Sequence, residues 1–332
     1  MPTDQRGLHL NLSRMDETQL LDICMRLGLD KPSDGMSHAK LVRLVEDAIR
    51  SSPVDVRVCC GLQALQAMQA LLRERPDGSI PRRELPGCPG LGPAMAALHR
   101  LGLCRRGVRE YTLAPEAAAL LDYSEEEGQL LSAVDVLCES YLGYLQLYGM
   151  LDEEELSGLE QRSGAPVTHP GLISSLWVRR HGIHGLYRRD GSPLYLIHPK
   201  LKNPEILLRL RNSRQTAGLS LASYDLADAQ SALICGLPVS GHAMETLEQI
   251  ARAAHTPPAQ AAAISQRAVL RLQAEDAQAA LRELDPLSRR LPLSVRSYLP
   301  GKLVDQMPQW AFKGHSSAEL RRLHAVPGRR IQ

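Results

Sequence analysis

A chain of 332 residues has room for two or more domains, and 44% hydrophobic with 23% charged residues is a globular balance that excludes general disorder. One Phe, two Trp and nine Tyr leave the cores to Leu, Ala, Val and Met, which favours helices over sandwiches and barrels, and no apolar run is long enough to span a membrane. The formal charge of +2 conceals two opposed blocks: ten acids against one Arg in residues 123–163, and nine Lys and Arg against two acids in residues 164–216. The start, MPTDQRGLHLNLS, lacks a basic segment leading into an apolar run, and seven Cys without a CxxC pair read as reduced thiols. The expected location is the cytoplasm of a bacterial-type cell.

The chain divides into five pieces. Residues 10–50 predict two short helices. Asp16 caps the first with Gln19 in register, Leu20, Leu21, Cys24 and Leu27 form its apolar face, and Gly28 ends it. Leu41, Val42, Leu44, Val45 and Ile49 mark the second, which carries Lys40 near its start. The shared spacing of Leu12, Leu20, Leu27-Gly28-Leu29 and Lys40-Leu41-Val42 resembles the N-terminal helical module of transcription termination factor Rho and, more distantly, SAP-type modules. That resemblance implies association with nucleic acid. The Lys these modules often place after the loop is replaced here by Ser37-His38.

Residues 56–122 predict a long helix from Val58 to Arg75, a turn at Pro76-Asp77-Gly78, a short segment with Ile80, a third helix from Ala94 to Leu101, and a hairpin turning at Arg106-Gly107. This order is similar to a winged helix, in which the third helix enters the major groove and the wing meets phosphate. Here the helix offers only His99 and Arg100 as polar readers. The wing arginines Arg105, Arg106 and Arg109 can meet a backbone without reading its sequence.

Residues 123–202 repeat that order. Ser124 and Glu127 form a capping box on a helix to Tyr148, Gly149 breaks it, and an acidic helix runs from Asp152 to Leu159. A hairpin over LWVRRHGIHGLYRRDGSPLYLIHP, turning at Asp190-Gly191, completes a second winged-helix-like unit. This stretch places Arg179, Arg180, Arg188 and Arg189 beside Trp177 and Tyr187, with Lys200 and Lys202 following. Arginines beside exposed rings suit single strands, by charge and stacking. Alternatively the aromatic residues fill a core and the arginines are solvated, or the acidic block neutralises them. His181 and His184 lack the Glu and third ligand of a zinc site.

Residues 203–285 predict a helical scaffold: a helix from Asn203-Pro204 displaying Arg209, Arg211 and Arg214, then helices over 225–234, 241–254 and 258–284, with Glu275, Ala279 and Ala280 on a surface face. Residues 286–332 read as loop-rich with short helices. Within them MPQWAFKGHSSAEL places Trp310 and Phe312 as anchors and Ser316 as a cap with Glu319, and the tail from Pro327 frays. This ending resembles those of uncharacterised bacterial proteins with a W-x-x-K-G-H-S-x-x-E-L pattern, some of which carry a metal-binding tail.

The fold class expected is mainly α: a helix–loop–helix module, one or two winged-helix-like units with β-hairpins, and an α-helical C-terminal region. No phosphate loop or nucleophile elbow is present, and the basic segment has only Asp190 and Glu205 as carboxylates for a metal, so no enzyme, cofactor or metal site is expected. The leading expectation is a protein that contacts the phosphate backbone of DNA or RNA, in transcription or mobile-element biology. An interaction scaffold that binds protein, and an enzyme with a non-obvious site, are the alternatives.

Overall fold

The computed structural model describes residues 7–30, 32–33, 35–85, 91–163, 170–182, 185–189 and 193–325. Among them are seventeen α-helices and two three-stranded antiparallel sheets, so the chain is mainly α. No helix among these residues is long and apolar enough to cross a membrane. Contacts group the chain into two compact units: residues 1–138 with 171–185, and residues 139–170 with 186–332.

The first unit opens with α1 (Leu8–Ser13), α2 (Glu17–Arg26) and α3 (His38–Ser51). Asp16 and Gln19 cap α2 reciprocally, at 2.8 and 3.0 Å. The apolar faces of these helices are too small to sequester themselves. They join one core with α4 (Pro53–Cys60), α5 (Leu62–Glu74) and α6 (Leu91–Arg100), where Leu8, Leu20, Leu41, Leu65, Met68 and Met95 are fully enclosed. Leu12 lies over the turn at Gly102, where a Cβ would approach its side chain to 2.6 Å, and Asn11 donates to the Gly102 carbonyl at 2.9 Å. β1 (Ser79–Pro81), β2 (Cys104–Arg106) and β3 (Glu110–Leu113) form a sheet in the order β1-β3-β2, and the first part of α7 (Glu125–Tyr148) completes the unit together with α9 (Pro170–His181).

The expected helix from Val58 to Arg75 is two helices, because Gly61 interrupts it at φ +88. The Asp135 carboxylate takes the Leu62 amide at 2.9 Å, capping α5 from 73 residues away.

The second unit contains β4 (Met150–Asp152), α8 (Glu153–Ser163), β5 (Leu186–Tyr187) and β6 (Tyr195–Ile197), in sheet order β4-β6-β5. The hairpin is thus shorter than the sequence suggests. Its first quarter belongs to α9, in which Ile173 and Trp177 stand four residues apart, both buried, as an apolar helix face requires. The Asp190-Gly191 turn and His184 lie outside the described residues.

The second unit continues with α10 (Pro204–Arg211) and a helical array: α11 (Leu226–Cys235), α12 (His242–Ala253), α13 (Pro258–Ala274), α14 (Ala277–Ser288), α15 (Leu293–Arg296), α16 (Leu299–Gln306) and α17 (Ser317–Ala325). The helix expected over 258–284 breaks at Glu275, and Asp276 starts α14 by accepting the Ala279 amide at 2.8 Å. Ala279 and Ala280 are buried rather than on a surface face.

The C-terminal motif wedges into this unit. Trp310 is buried and its indole donates to the Gln146 carbonyl at 2.9 Å. It lies against Gly149, where a Cβ would meet the ring at 2.5 Å. Lys313 reaches the Leu219 carbonyl at 2.7 Å, and Gly314, at φ +89, lets the chain pass the Tyr148 ring. Ser316 and Glu319 cap α17 reciprocally. Phe312 is only half-buried, so Trp310 is the anchor. The tail from Pro327 lies outside the described residues.

Candidate nucleic-acid interface

The wing of the first unit is built by antiparallel pairing. β2 meets β3 with Arg106 opposite Tyr111, and Gly107 donates to the Glu110 carbonyl at 2.8 Å to close the turn. Val108 stands at the tip, 91% exposed. β1 pairs along the other side of β3, and the chain leaving it donates from the Arg82 amide to the Arg109 carbonyl at 2.8 Å. One sheet end therefore gathers Arg82, Arg83, Arg105, Arg106 and Arg109, of which only Arg105 is half-buried.

The acids nearby are Glu110, at the start of β3, and Glu84, which Arg75 holds at 2.5 Å. Among the described residues, Arg82, Arg105, Arg106 and Arg109 meet no carboxylate; Arg83 stands 3.9 Å from Glu84. Arg82 and Arg83 are absent from the set expected from sequence. The signal was the Arg82-Arg83 pair directly after a short strand ending at Pro81, which the sheet order places beside the wing. α6 shows solvent Pro93, Ala96 and Arg100, while His99 is turned to the Cys104 carbonyl at 2.9 Å. Base edges find one hydrogen-bonding side chain on that face.

The arginines of α9 have the opposite fate. Arg179 binds Asp55 at 2.6 Å, and Arg180 binds Asp135. Arg26, 4% exposed, donates to the Arg180 carbonyl at 2.8 Å and the Arg179 carbonyl at 3.2 Å while pairing with Asp22. A Cβ at Gly61 would fall 1.9 Å from the Arg180 guanidinium, so Gly there leaves room for the pair. Trp177 is 1% exposed and packs against His181, with ring centroids 4.0 Å apart and planes tilted by 46°. The expectation that Trp177, Arg179 and Arg180 present an outward stacking ridge is therefore corrected: helical spacing turns the ring into the core, and Asp55 and Asp135 engage the charges. Burial pushes the thiol of Cys59 up to about 11 and that of Cys104 up to about 12, against the pull of Arg179 on the former, so both stay protonated.

In the second unit, Arg188 and Arg189 follow β5, and Lys200 and Lys202 follow β6; all four are exposed. Tyr187 is half-buried against Tyr195, ring centroids 6.5 Å apart. A hydrogen bond and charge from Arg209, with Arg189 beyond, hold the Glu205 carboxyl below its ordinary range. Arg211 is not displayed as expected. It is 3% exposed and donates to the carbonyls of Tyr148, Met150 and Trp310. Lys40 is exposed on the first turn of α3 in the first unit.

No group of three metal-ligating side chains occurs among the described residues. Comparison with known protein families, characterised proteins and solved structures finds no match to this chain.

Proposed function

We propose that this protein associates with nucleic acid by gripping the phosphate backbone, and that the wing of the first unit is the site of that grip. One observation carries the reading: among the described residues, four wing arginines stand without a carboxylate while the arginines of α9 are engaged internally. An unneutralised guanidinium suits a phosphate, which it can bind through two parallel hydrogen bonds. The order α5, β1, α6, β2, β3, similar to a winged helix, supports the same reading, as does the Rho-like spacing in α1 to α3. The bland face of α6 favours binding indifferent to base sequence. Exposed Arg188, Lys200 and Lys202 are a second, separately acting source of backbone contacts.

The test is a salt series with a short duplex and a single strand of the same length. Binding weakens steeply with salt, and Arg82→Ala, Arg106→Ala and Arg109→Ala together lower the slope by about 2–3 on the duplex, at about 0.9 for each phosphate no longer neutralised. No binding at low salt, or an unchanged slope in the triple variant, overturns the proposal.

A further inference from the structure

We infer that the trough between α11, α12 and α13 of the second unit is a docking site for an amphipathic helix of a partner protein, lying antiparallel to α12. The trough holds about 800 Å³ and its lining is mainly apolar. Ile234, Met244, Leu247, Ala251 and Ala261 form its walls and floor, and Ile234 is left 69% exposed. Apolar surface of this size lowers its free energy when covered.

Shape and charge choose the occupant. A small apolar ligand binds well where most of its surface is enclosed, and an open trough leaves one side of such a molecule in water. An amphipathic helix has a polar side that belongs in water. The α12 flank over residues 244–253 runs about 14 Å, at 1.5 Å per residue, which matches two and a half turns of a docked helix with anchors at i, i+3 or i+4, and i+7. The rim is dipolar. Glu248 meets no cation among the described residues, and Arg252, one turn further along, and His255, just past the helix end, meet no carboxylate there. Arg252 bonds only weakly to the Glu248 backbone carbonyl, at 3.4 Å. A partner helix with Asp or Glu in its first turn against Arg252 and His255, and Lys or Arg one to two turns later against Glu248, satisfies both ends. Acids in a first turn also suit that helix's own dipole. These charges fix the antiparallel direction.

The experiment selects a displayed library of 16-residue peptides, patterned for one apolar helix face with the other positions randomised, against the full chain. The expected result is enrichment of peptides with a first-turn acid and a basic residue one to two turns on. Ile234→Asp then weakens binding about tenfold and Arg252→Glu about fivefold, as truncation or charge reversal at an interface centre and rim produces. Both positions are exposed, so the variants keep their fold. A peptide with its first-turn acids changed to Lys regains affinity for Arg252→Glu. No enrichment over the Ile234→Asp protein, enrichment of basic first turns, or binding unmoved by both variants overturns the inference. So does laurate binding that Ile234→Asp abolishes while no peptide is enriched, which assigns the trough to an acyl chain.

Discussion

The two small sheets share a strand order, each with its last strand in the centre, yet they handle arginine in opposite ways. In the first unit the sheet end carries guanidinium groups outward, with Arg82, Arg106 and Arg109 exposed beside the turn. In the second unit the sheet is fastened from behind by Arg211, whose donors go to the carbonyls beside β4 and to Trp310. Arg82, Arg106 and Arg109 therefore face solvent where Arg211 is an internal strut, and each unit holds both kinds: Arg180 is engaged in the first and Arg188 is exposed in the second. Residue type alone does not distinguish these roles; the location of the nearest acceptor does.

The largest effect expected from breaking the comparison is at the strut. Arg211→Met strands buried carbonyls that now accept from a charged donor, and stability in urea falls by about 4 kcal/mol. Arg180→Ala comes next, at roughly 3 kcal/mol, because the Asp135 carboxylate is left 14% exposed beside α5 without its partner. Asp135→Asn leaves the Arg180 guanidinium, 13% exposed, as the uncompensated charge instead, and costs a comparable amount.

The next effect is one of pH. Burial drives His198 down to about 3, with the Lys200 charge acting in the same direction. The unfolded imidazole takes up a proton near pH 6.5 whereas the folded one does not. Stability is thus complete above that pH and is lost as pH falls toward 3, by about 1.4 kcal/mol per unit. Between pH 7 and 5 the loss is about 2 kcal/mol, and His198→Asn removes this part of the dependence. The smallest effect sharpens the contrast: substituting Arg82, Arg106 and Arg109 together moves stability by less than about 0.5 kcal/mol each while lowering nucleic-acid binding. A large loss of stability there makes the wing arginines struts as well.

Local chemistry was legible in the sequence where its partners lie a turn away. The capping boxes at Asp16, Ser124 and Ser316 each form as the three-residue spacing dictates. The helical class and the two short hairpins follow from the same kind of signal. What was not legible depends on distant residues. Nothing near Gly61 announces that a carboxylate from Asp135 will restart the helix there. Nothing near Arg179 names Asp55, 124 residues earlier, as its partner. The candidate site divided along this line: the wing cluster was readable from one hairpin, but Arg82 and Arg83 joined it only through strand pairing, and Arg179 and Arg180 left the expected ridge through long-range ion pairs.

The wedge formed by Trp310 has a consequence for biosynthesis. Gln146, Gly149 and Arg211 all direct groups at a residue made more than ninety positions after the last of them. A nascent chain emerging from the ribosome can close the first unit's core while the bed for the indole is still empty. Final setting of the second unit waits for the segment around Trp310, which makes a truncation that removes it a folding lesion rather than a trim.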